Sequence, residues 1–503
     1  MNKLKRTLAL MAALAMTATA FVGCGDKDES STTPAATTAA EESSEESSAE
    51  ESSEESSAEE SSEESSTDDE SSTPAAATEL GAVSMPDTGD ALTVLCWTDD
   101  DLKYMIPIVE AKYPDMAGKI KYQNVGSKGG EANEQYATYF SSGSDVDLYV
   151  CDADWVMSYE NNDEYSAPLE SVGITKDMYS DAYGYTVAIG TDENGVLKGA
   201  SWQAAAGGYA YRTDLAEQYL GVKTPDEMQA KISDWDAFWS AAAEVYTASE
   251  GKTAMADTLG GVWRAYSAGN RTSAWVNDGT ITADNAKACL GDFISMAKTN
   301  YDAGYINKAE QWTDDWSAIG QSDGDLADGT MGYFLPTWAL ASGGQLESSE
   351  GGASGSTYGK YALTAGPTGW FWGGSWLCVS PNCDNGTFAG QFIKAMTVDA
   401  DTMSQYVADH SDFVNNKTVM KQVVADGSNS NVLLGGQDQF SILLDSADKI
   451  SLDGIASKYD ATINDALLNA VKMYCNGDLA DEDATYNEFL DKVSTDIPDI
   501  TVE

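Results

Sequence analysis

Between Glu41 and Ser66 the chain repeats Glu-Glu-Ser-Ser with an occasional Ala and no large apolar residue. Such a stretch has no apolar surface to bury against the entropy of ordering it. Its like charges also push it toward extension. The segment from residue 24 to about 88 therefore reads as an unfolded tether. A flexible chain of about 60 residues has an end-to-end distance of roughly 40 Å, which self-repulsion lengthens. An acidic interaction tail is the other use of such a run. What can fold is the remainder, residues 89–503. At roughly 410 residues it is too long for one core and suits two lobes.

Upstream, Lys3, Lys5 and Arg6 precede an apolar run from Leu8 to Val22. That run is too short to span a bilayer comfortably, and the layout is that of a secretory signal over 1–23. Cys24 directly follows Phe21-Val22-Gly23. The arrangement resembles the lipobox of bacterial lipoproteins, departing from it at Phe21, where those proteins have Leu or a smaller aliphatic. The resemblance implies cleavage before Cys24 and a diacylglycerol thioether on it. Two acyl chains hold a protein on a membrane where one is marginal. The expected location is the extracellular face of the cell membrane, by lipid anchor.

Charge and composition narrow the partners. Of the formal charge of −54, residues 26–79 contribute −18 (nineteen acids, one lysine) and the first six residues +3, leaving −39 for the rest. Nucleic acid and anionic lipid surfaces are poor partners for such a body, and an uncharged or cationic ligand is the natural expectation. His410 is the only histidine, set in Ala-Asp-His-Ser-Asp. A Ser-His-Asp relay, a His-Cys zinc site or a histidine base would all have to run through it, and it reads as a helix-end surface residue. Six cysteines remain after Cys24, without a Cys-x-x-Cys. They read as buried free thiols rather than a metal knuckle or redox pair. No cofactor or metal is expected. Asp323 to Gly329 lacks the alternating acids and distal Glu of a calcium loop and reads as a helix start with a Gly cap.

Short apolar strands alternate with helical spacing along the body. Leu92–Trp97, Lys119–Val125 and Val146–Cys151 read as strands, separated by helices through Lys112 and over Glu131–Ser141. That alternation argues for α/β architecture with a parallel sheet covered on both faces. Ligands in such sheets sit beyond the carboxyl ends of the strands, where Trp97, Asp152, Asp154 and Trp155 fall. Small residues between Trp202-Gln203 and Tyr209–Arg212 suit a crossing between lobes. Helices are expected over Trp235–Val245, Asn285–Ala303, Phe388–Met396, Thr462–Met473 and Tyr486–Val493, and strands over Met331–Leu335, Lys360–Thr364 and Ser375–Ser380.

The sequence carries several segments in family-like order. They are Asp325-Leu-Ala-Asp-Gly-Thr-Met-Gly-Tyr-Phe-Leu-Pro-Thr-Trp338, Gly373-Gly-Ser-Trp-Leu-Cys-Val-Ser-Pro-Asn382, Asp234-Trp-Asp-Ala-Phe-Trp239 and the loop after Val150 holding Asp154. With these the body resembles the extracellular solute-binding proteins of carbohydrate ABC importers, the group containing the maltodextrin-binding protein. Cys96-Trp97, Gly199-Ala-Ser-Trp-Gln203, Trp275-Val-Asn-Asp278 and Trp372-Gly-Gly-Ser-Trp-Leu-Cys378 are similar to a subgroup from Gram-positive anaerobes. The resemblance implies a two-lobed, periplasmic-binding-protein-like type II fold with hinge strands and the ligand in the interlobe cleft. The first lobe is expected at about 89–203 plus 360–376, and the second at about 204–359 plus 377–503. It also implies a monomer that delivers a neutral oligosaccharide to permease subunits, and no enzymatic turnover.

The residue types fit that reading independently. A pyranose offers an apolar face to flat rings and a rim of hydroxyls to carboxylates, amides and Arg. Thirteen tryptophans are present, several beside acids or amides. The expected sugar ligands are Trp97, Asp99, Asp152, Asp154, Trp202, Gln203, Arg264, Trp275, Trp338, Trp372, Trp376 and Gln437. Trp235 and Trp239, four apart, read as core, and Trp312 and Trp316 as one face of a helix. A surface glycosidase, which needs two carboxylates flanking a cleft, and a glycan adhesin without a transporter are the rival readings.

Overall fold

The computed structural model describes residues 79–97, 100–126, 129–321 and 329–503. The signal segment, Cys24, most of the tether, Asp99 and Asp323–Asp328 lie outside the described residues. The tether was expected to reach about residue 88, but ordered contacts begin earlier. Gly81 N–H donates to the Gly173 carbonyl at 2.8 Å, and Val83 and Asp87 form bridges to Val172 and Asn385. Leu80, Val83 and Met85 supply the apolar contacts that the Glu/Ser repeat lacks.

Among the described residues twelve strands run in chain order: β1 Leu92–Cys96, β2 Ile120–Asn124, β3 Leu148–Asp152, β4 Gly199–Ser201, β5 Ala206–Arg212, β6 Thr253–Ala256, β7 Thr280–Ile281, β8 Gly329–Pro336, β9 Tyr361–Thr364, β10 Trp370–Phe371, β11 Ser375–Val379 and β12 Thr501–Val502. The first sheet has the order β2-β1-β3-β11-β4; the second has β10-β5-β8-β6, with β9 also paired to β5. A short β12-β7 pair ties down the C-terminus.

Each of the two five-stranded sheets is mixed rather than wholly parallel. β1, β2 and β3 are parallel, but β11 runs antiparallel to both β3 and β4. In the second sheet β5 is antiparallel to β8, β9 and β10, while β6 is parallel to β8. The expected lobe division also changes. Tyr361–Thr364 hydrogen-bonds to β5 in the second sheet, and Ser375–Val379 inserts between β3 and β4 in the first. Helix Gly386–Thr397 then packs on helix Asp100–Lys112 of the first lobe. The returning strand carries its following helix with it, and spacing alone does not reveal that return.

The chain crosses between the sheets three times along one edge: at Trp202–Ala205, at Trp372–Gly374, and at Ser411–Asn416 after helix Ala400–His410. The three run side by side. Ala204 N–H donates to the Phe413 carbonyl, Asn415 N–H to the Trp202 carbonyl and Trp372 N–H to the Ala205 carbonyl, at 2.9, 2.9 and 3.1 Å. Ala205 and Ser411 hold left-handed φ of 47° and 54°, a cost that persists only where surroundings over-determine it.

Helix starts follow the sequence signals. Asp234, Thr258, Asp399 and Asp481 each accept an N–H of the first turn with a side-chain oxygen, satisfying donors the helix itself leaves open. The single helix expected over Asn285–Ala303 is two, Ala283–Leu290 and Phe293–Asp302, broken at Gly291 with φ 61°. His410 does end its helix, but half-buried, its ring edge-on to Tyr104 and stacked on Tyr406. The six described cysteines are buried and none is joined in a disulfide.

Trp376 closes the first lobe. It is 1% exposed, and its Nε1 donates to the Thr186 carbonyl at 3.0 Å. Trp376→Ala is expected to cost about 3–5 kcal/mol of unfolding free energy, measured by denaturant titration. Glu160 lies in the same interior with no partner for either carboxyl oxygen among the described residues. Burial, then Cys378 and Asp192 nearby, pushes its carboxyl well above the usual range. The native state thus binds a proton the unfolded chain has lost, so stability falls as pH rises above the ordinary carboxylate pKa. Glu160→Gln removes that titration. Its melting curves should lose this slope and gain about 1 kcal/mol near pH 8; an unchanged slope would show that Glu160 does not carry it.

Candidate functional site

The strand directions bring the ends of both sheets to the crossing edge. Trp97 follows β1 and Asp154 follows β3. Ser375, the first residue of the antiparallel β11, pairs with Asp152, so Gly373-Gly374 lies beside that same end. In the second lobe β8 ends against the start of β5, with Pro336 opposite Gly207 and Thr337 Oγ1 donating to the Ala206 carbonyl at 2.9 Å. Trp338 is thereby delivered to the cleft. β6 ends at Ala256, and helix Leu259–Asn270 follows and brings Arg264 to the same place.

Arg264 reaches across to the first lobe. Its Nη1 and Nη2 donate to the two oxygens of Asp154, both at 2.9 Å. The paired guanidinium holds the Asp154 carboxyl below its ordinary range although burial opposes this, and Arg264 is itself pushed up. The same guanidinium lies over the Trp372 ring, 5.0 Å from its centroid. Trp372 meets Trp338 edge-on at 5.4 Å, and Trp338 Nε1 donates to the Trp372 carbonyl at 2.9 Å. One cation and two indoles, with a carboxylate from the opposite lobe, form a continuous surface. Such a bidentate pair is geometrically specific, but with side chains 30% and 43% exposed it contributes only about 0–1 kcal/mol to stability.

Asp152 sits beneath this group, with one oxygen accepting from Asp154 N–H at 2.8 Å. Burial first, and then the Asp154 charge, pushes its carboxyl up to about 7 against the pull of Arg264. It can hold a proton near neutrality and donate as well as accept. The glycines here are obligatory. Gly373 and Gly374 have φ of 76° and 110°. A Cβ on Gly373 would come 3.2 Å from Trp338 Nε1, and one on Gly374 2.9 Å from Trp376.

Trp97, half-buried, packs edge-on against Trp155 at 5.3 Å on the first-lobe rim. Five other expected ligands stand elsewhere, and this corrects the sequence reading. Trp202 and Trp376 are interior to the first lobe and the crossing, at 2% and 1% exposure. Trp275 is fully buried, its Nε1 donating to Asn464 Oδ1 at 3.0 Å. Gln203 is a crossing residue whose amide donates to Asp412 Oδ2 at 2.5 Å. Gln437 spends both ends of its amide on the Leu363 backbone, at 2.7 and 2.9 Å. An indole beside a polar residue in sequence serves a buried hydrogen bond as readily as a ligand. Trp235 and Trp239 do stack within the second lobe, 5.9 Å apart.

Other site residues escaped the sequence reading. Lys458 of the second lobe pairs with Glu193 of the first at 3.0 Å, and it overhangs an interlobe groove of about 670 Å³ lined also by Asn161, Lys176 and Asp192. Next to Asp154 and Arg264 a smaller chamber of about 90 Å³ includes Ser267, Lys458 and Asn464. Trp312 is 66% exposed beside Trp338. The Thr313-Asp314-Asp315 helix-start signature was the unused signal that puts Trp312 outside the following helix. Among the described residues no group of His, Cys, Asp or Glu is arranged to hold a metal ion, and no helix is long and apolar enough to cross a membrane.

The fold has close counterparts. An extracellular solute-binding protein family 1 structure superposes with TM-score 0.69 and 19% identity over 81% of this chain and 100% of that one. The galacto-N-biose-/lacto-N-biose I-binding protein of a Bifidobacterium longum ABC transporter, in complex with lacto-N-biose, gives TM-score 0.60 and 14% identity over 83% and 100%. An ABC-transporter-associated binding protein from B. animalis subsp. lactis Bl-04, in complex with beta-1,6-galactobiose, gives 0.58 and 16% over 82% and 99%. These establish the two-lobed type II periplasmic-binding-protein fold. No match is found among the curated proteins. The sequence profile of the family described as bacterial extracellular solute-binding protein matches residues 105–427. Spanning well over half of its length, that match means the chain belongs to the bacterial extracellular solute-binding proteins.

Proposed function

We propose that the protein captures a neutral oligosaccharide between its lobes and delivers it to the permease of an ABC importer. The observation that carries this reading is the joined surface of Asp154, Arg264, Trp372 and Trp338, contributed by both lobes. Rings for the apolar face of a sugar stand beside charged and hydrogen-bonding groups for its hydroxyls. Two similarly folded proteins hold disaccharides and belong to ABC transporters, which favours the same class here. Trp97, Asp152, Asp154, Arg264, Trp338 and Trp372 are the proposed contacts. Binding without turnover is the role in view.

The 90 Å³ chamber is well below the few hundred Å³ typical of a ligand pocket, so the lobes must part to admit a sugar. Contacts made to both lobes at once then favour the joined arrangement. Cys24 would carry the lipid and the Glu/Ser tether would hold the binding domain clear of an extracellular membrane surface, acting as a monomer.

Calorimetry against gluco-, xylo- and manno-oligosaccharides, followed in parallel by tryptophan fluorescence, should give saturable binding to one series. Silence toward every neutral sugar with a clear response to peptides or amino acids would reject the reading. Trp338→Ala should weaken that binding about tenfold or more with little change in melting temperature. In the living cell, Cys24→Ser should move the protein from the membrane fraction to the medium; continued membrane retention would remove the anchor.

A further inference from the structure

Trp312 is the one tryptophan of the described residues that is mostly exposed, at 66%. It is also held at φ 67°, in the left-handed region a bulky residue avoids. The strain is imposed from both sides. Glu310 pairs with Lys472, and Gln311 packs its amide over Gly260, where a Cβ would come 2.4 Å from Oε1. On the other side Thr313 Oγ1 donates to the Glu310 carbonyl at 2.7 Å and caps helix Asp314–Ala318. Trp316 in that helix is buried, with Nε1 bonded to Asp257 at 2.8 Å. The sequence reading of Trp312 and Trp316 as one helix face is thus overturned. Trp316 anchors the segment and Trp312 is turned outward at a conformational cost.

The exposed ring is aligned with the site. It lies nearly parallel to Trp338, at 9° with centroids 6.1 Å apart, and edge-on to Trp372 at 5.5 Å. Beside it opens a groove of about 390 Å³ lined by Trp312, Trp338, Ser342, Gly343, Gln345 and Ser348. The groove wall is fixed by Glu347, which accepts from Gly343 N–H at 2.7 Å and Ser342 Oγ at 3.1 Å. Gln345 gives its amide nitrogen to Ser317 and Ser349 at 3.1 and 3.0 Å, so its amide oxygen is the end that can accept from a ligand. The two indoles are already in offset contact, so a further ring would lie on the exposed face of Trp312 rather than between them.

We infer that Trp312, Gln345 and the Ser342–Ser348 wall form an outer sugar subsite that continues the Trp372–Trp338 surface and selects chains longer than a disaccharide. This rests on the sugar-binding reading above. The strain at Trp312 serves to keep an apolar ring wet until a sugar face covers it.

The test compares the intact protein with Trp312→Ala, Trp312→Phe and Gln345→Ala, by calorimetry on disaccharides and their longer homologues from the three series named above. Trp312→Ala is expected to lose about tenfold in affinity for the longer sugars, with disaccharide affinity essentially unchanged. Trp312→Phe should recover much of the loss, and Gln345→Ala should show a smaller loss of the same length dependence. Iodide quenching should be relieved by longer sugars in the intact protein and not in Trp312→Ala. Equal affinity changes for all lengths, or no change for any, would overturn the outer subsite while leaving sugar binding intact. Absence of any sugar binding by the intact protein would overturn both.

Discussion

Two sheets joined by three crossings that lie side by side along one edge are the constraint on which the rest of this structure depends. The crossings hydrogen-bond to one another through Ala204, Asn415 and Trp372, so they bend as one strap. Because β11 returns antiparallel between β3 and β4, and β8 runs back against β5, the strand ends of both lobes open onto that strap. Trp97, Asp152, Asp154, Arg264, Trp338 and Trp372 are therefore delivered to one gap. Left-handed residues at Ala205, Gly373, Gly374 and Ser411 sit in or beside the crossings. Ala205 and Ser411 are thus two of the five non-glycine residues with left-handed φ among the described residues, held there by the surrounding hydrogen bonds.

Within the gap the electrostatics are divided between neighbours. Asp154 is kept ionised by Arg264, while Asp152, two residues away, has its carboxyl pushed up to about 7. One carboxylate is fixed as an acceptor and the other is able to donate. A sugar hydroxyl is both donor and acceptor, so a site with both characters can meet a hydroxyl pair without burying a second charge. The indoles add contact that is indifferent to the hydroxyl pattern, and Arg264 couples the two parts by lying over Trp372.

Much of this was legible in the amino acids. Strands β1, β2, β3 and β11, the helices at Asp100–Lys112 and Gly129–Ser142 and the helix start at Asp234 follow from apolar period and helix-start chemistry, within a residue or two of where they lie. Trp338, Trp372, Asp154 and Arg264 were expected together and are together. What sequence could not supply was partnership across long separations. Gln437 bonds the backbone of Leu363, and Trp275 bonds Asn464. Nothing local distinguishes such an amide or indole from one aimed at a ligand. The placing of 360–376 in the first lobe and of everything from 377 in the second missed β9 and the rest of β11 for the same reason, since the pairing of β9 with β5 and of β11 with β3 is a fact of register. Trp312 was missed because four-residue spacing was read as a helix face, when a capping Thr stood between the two rings.

The buried thiols have a practical corollary. Burial pushes Cys151 and Cys383 well above the usual thiol range and Cys475 up to about 12, so at neutral pH none of these three offers the thiolate that oxidants and maleimides attack. All six described cysteines are shut away from solvent. A single new surface cysteine on each lobe would therefore be the preferred point of attachment for a donor and acceptor dye. The approach of one half toward the other could then be followed in real time, without first stripping the interior of its native sulfur.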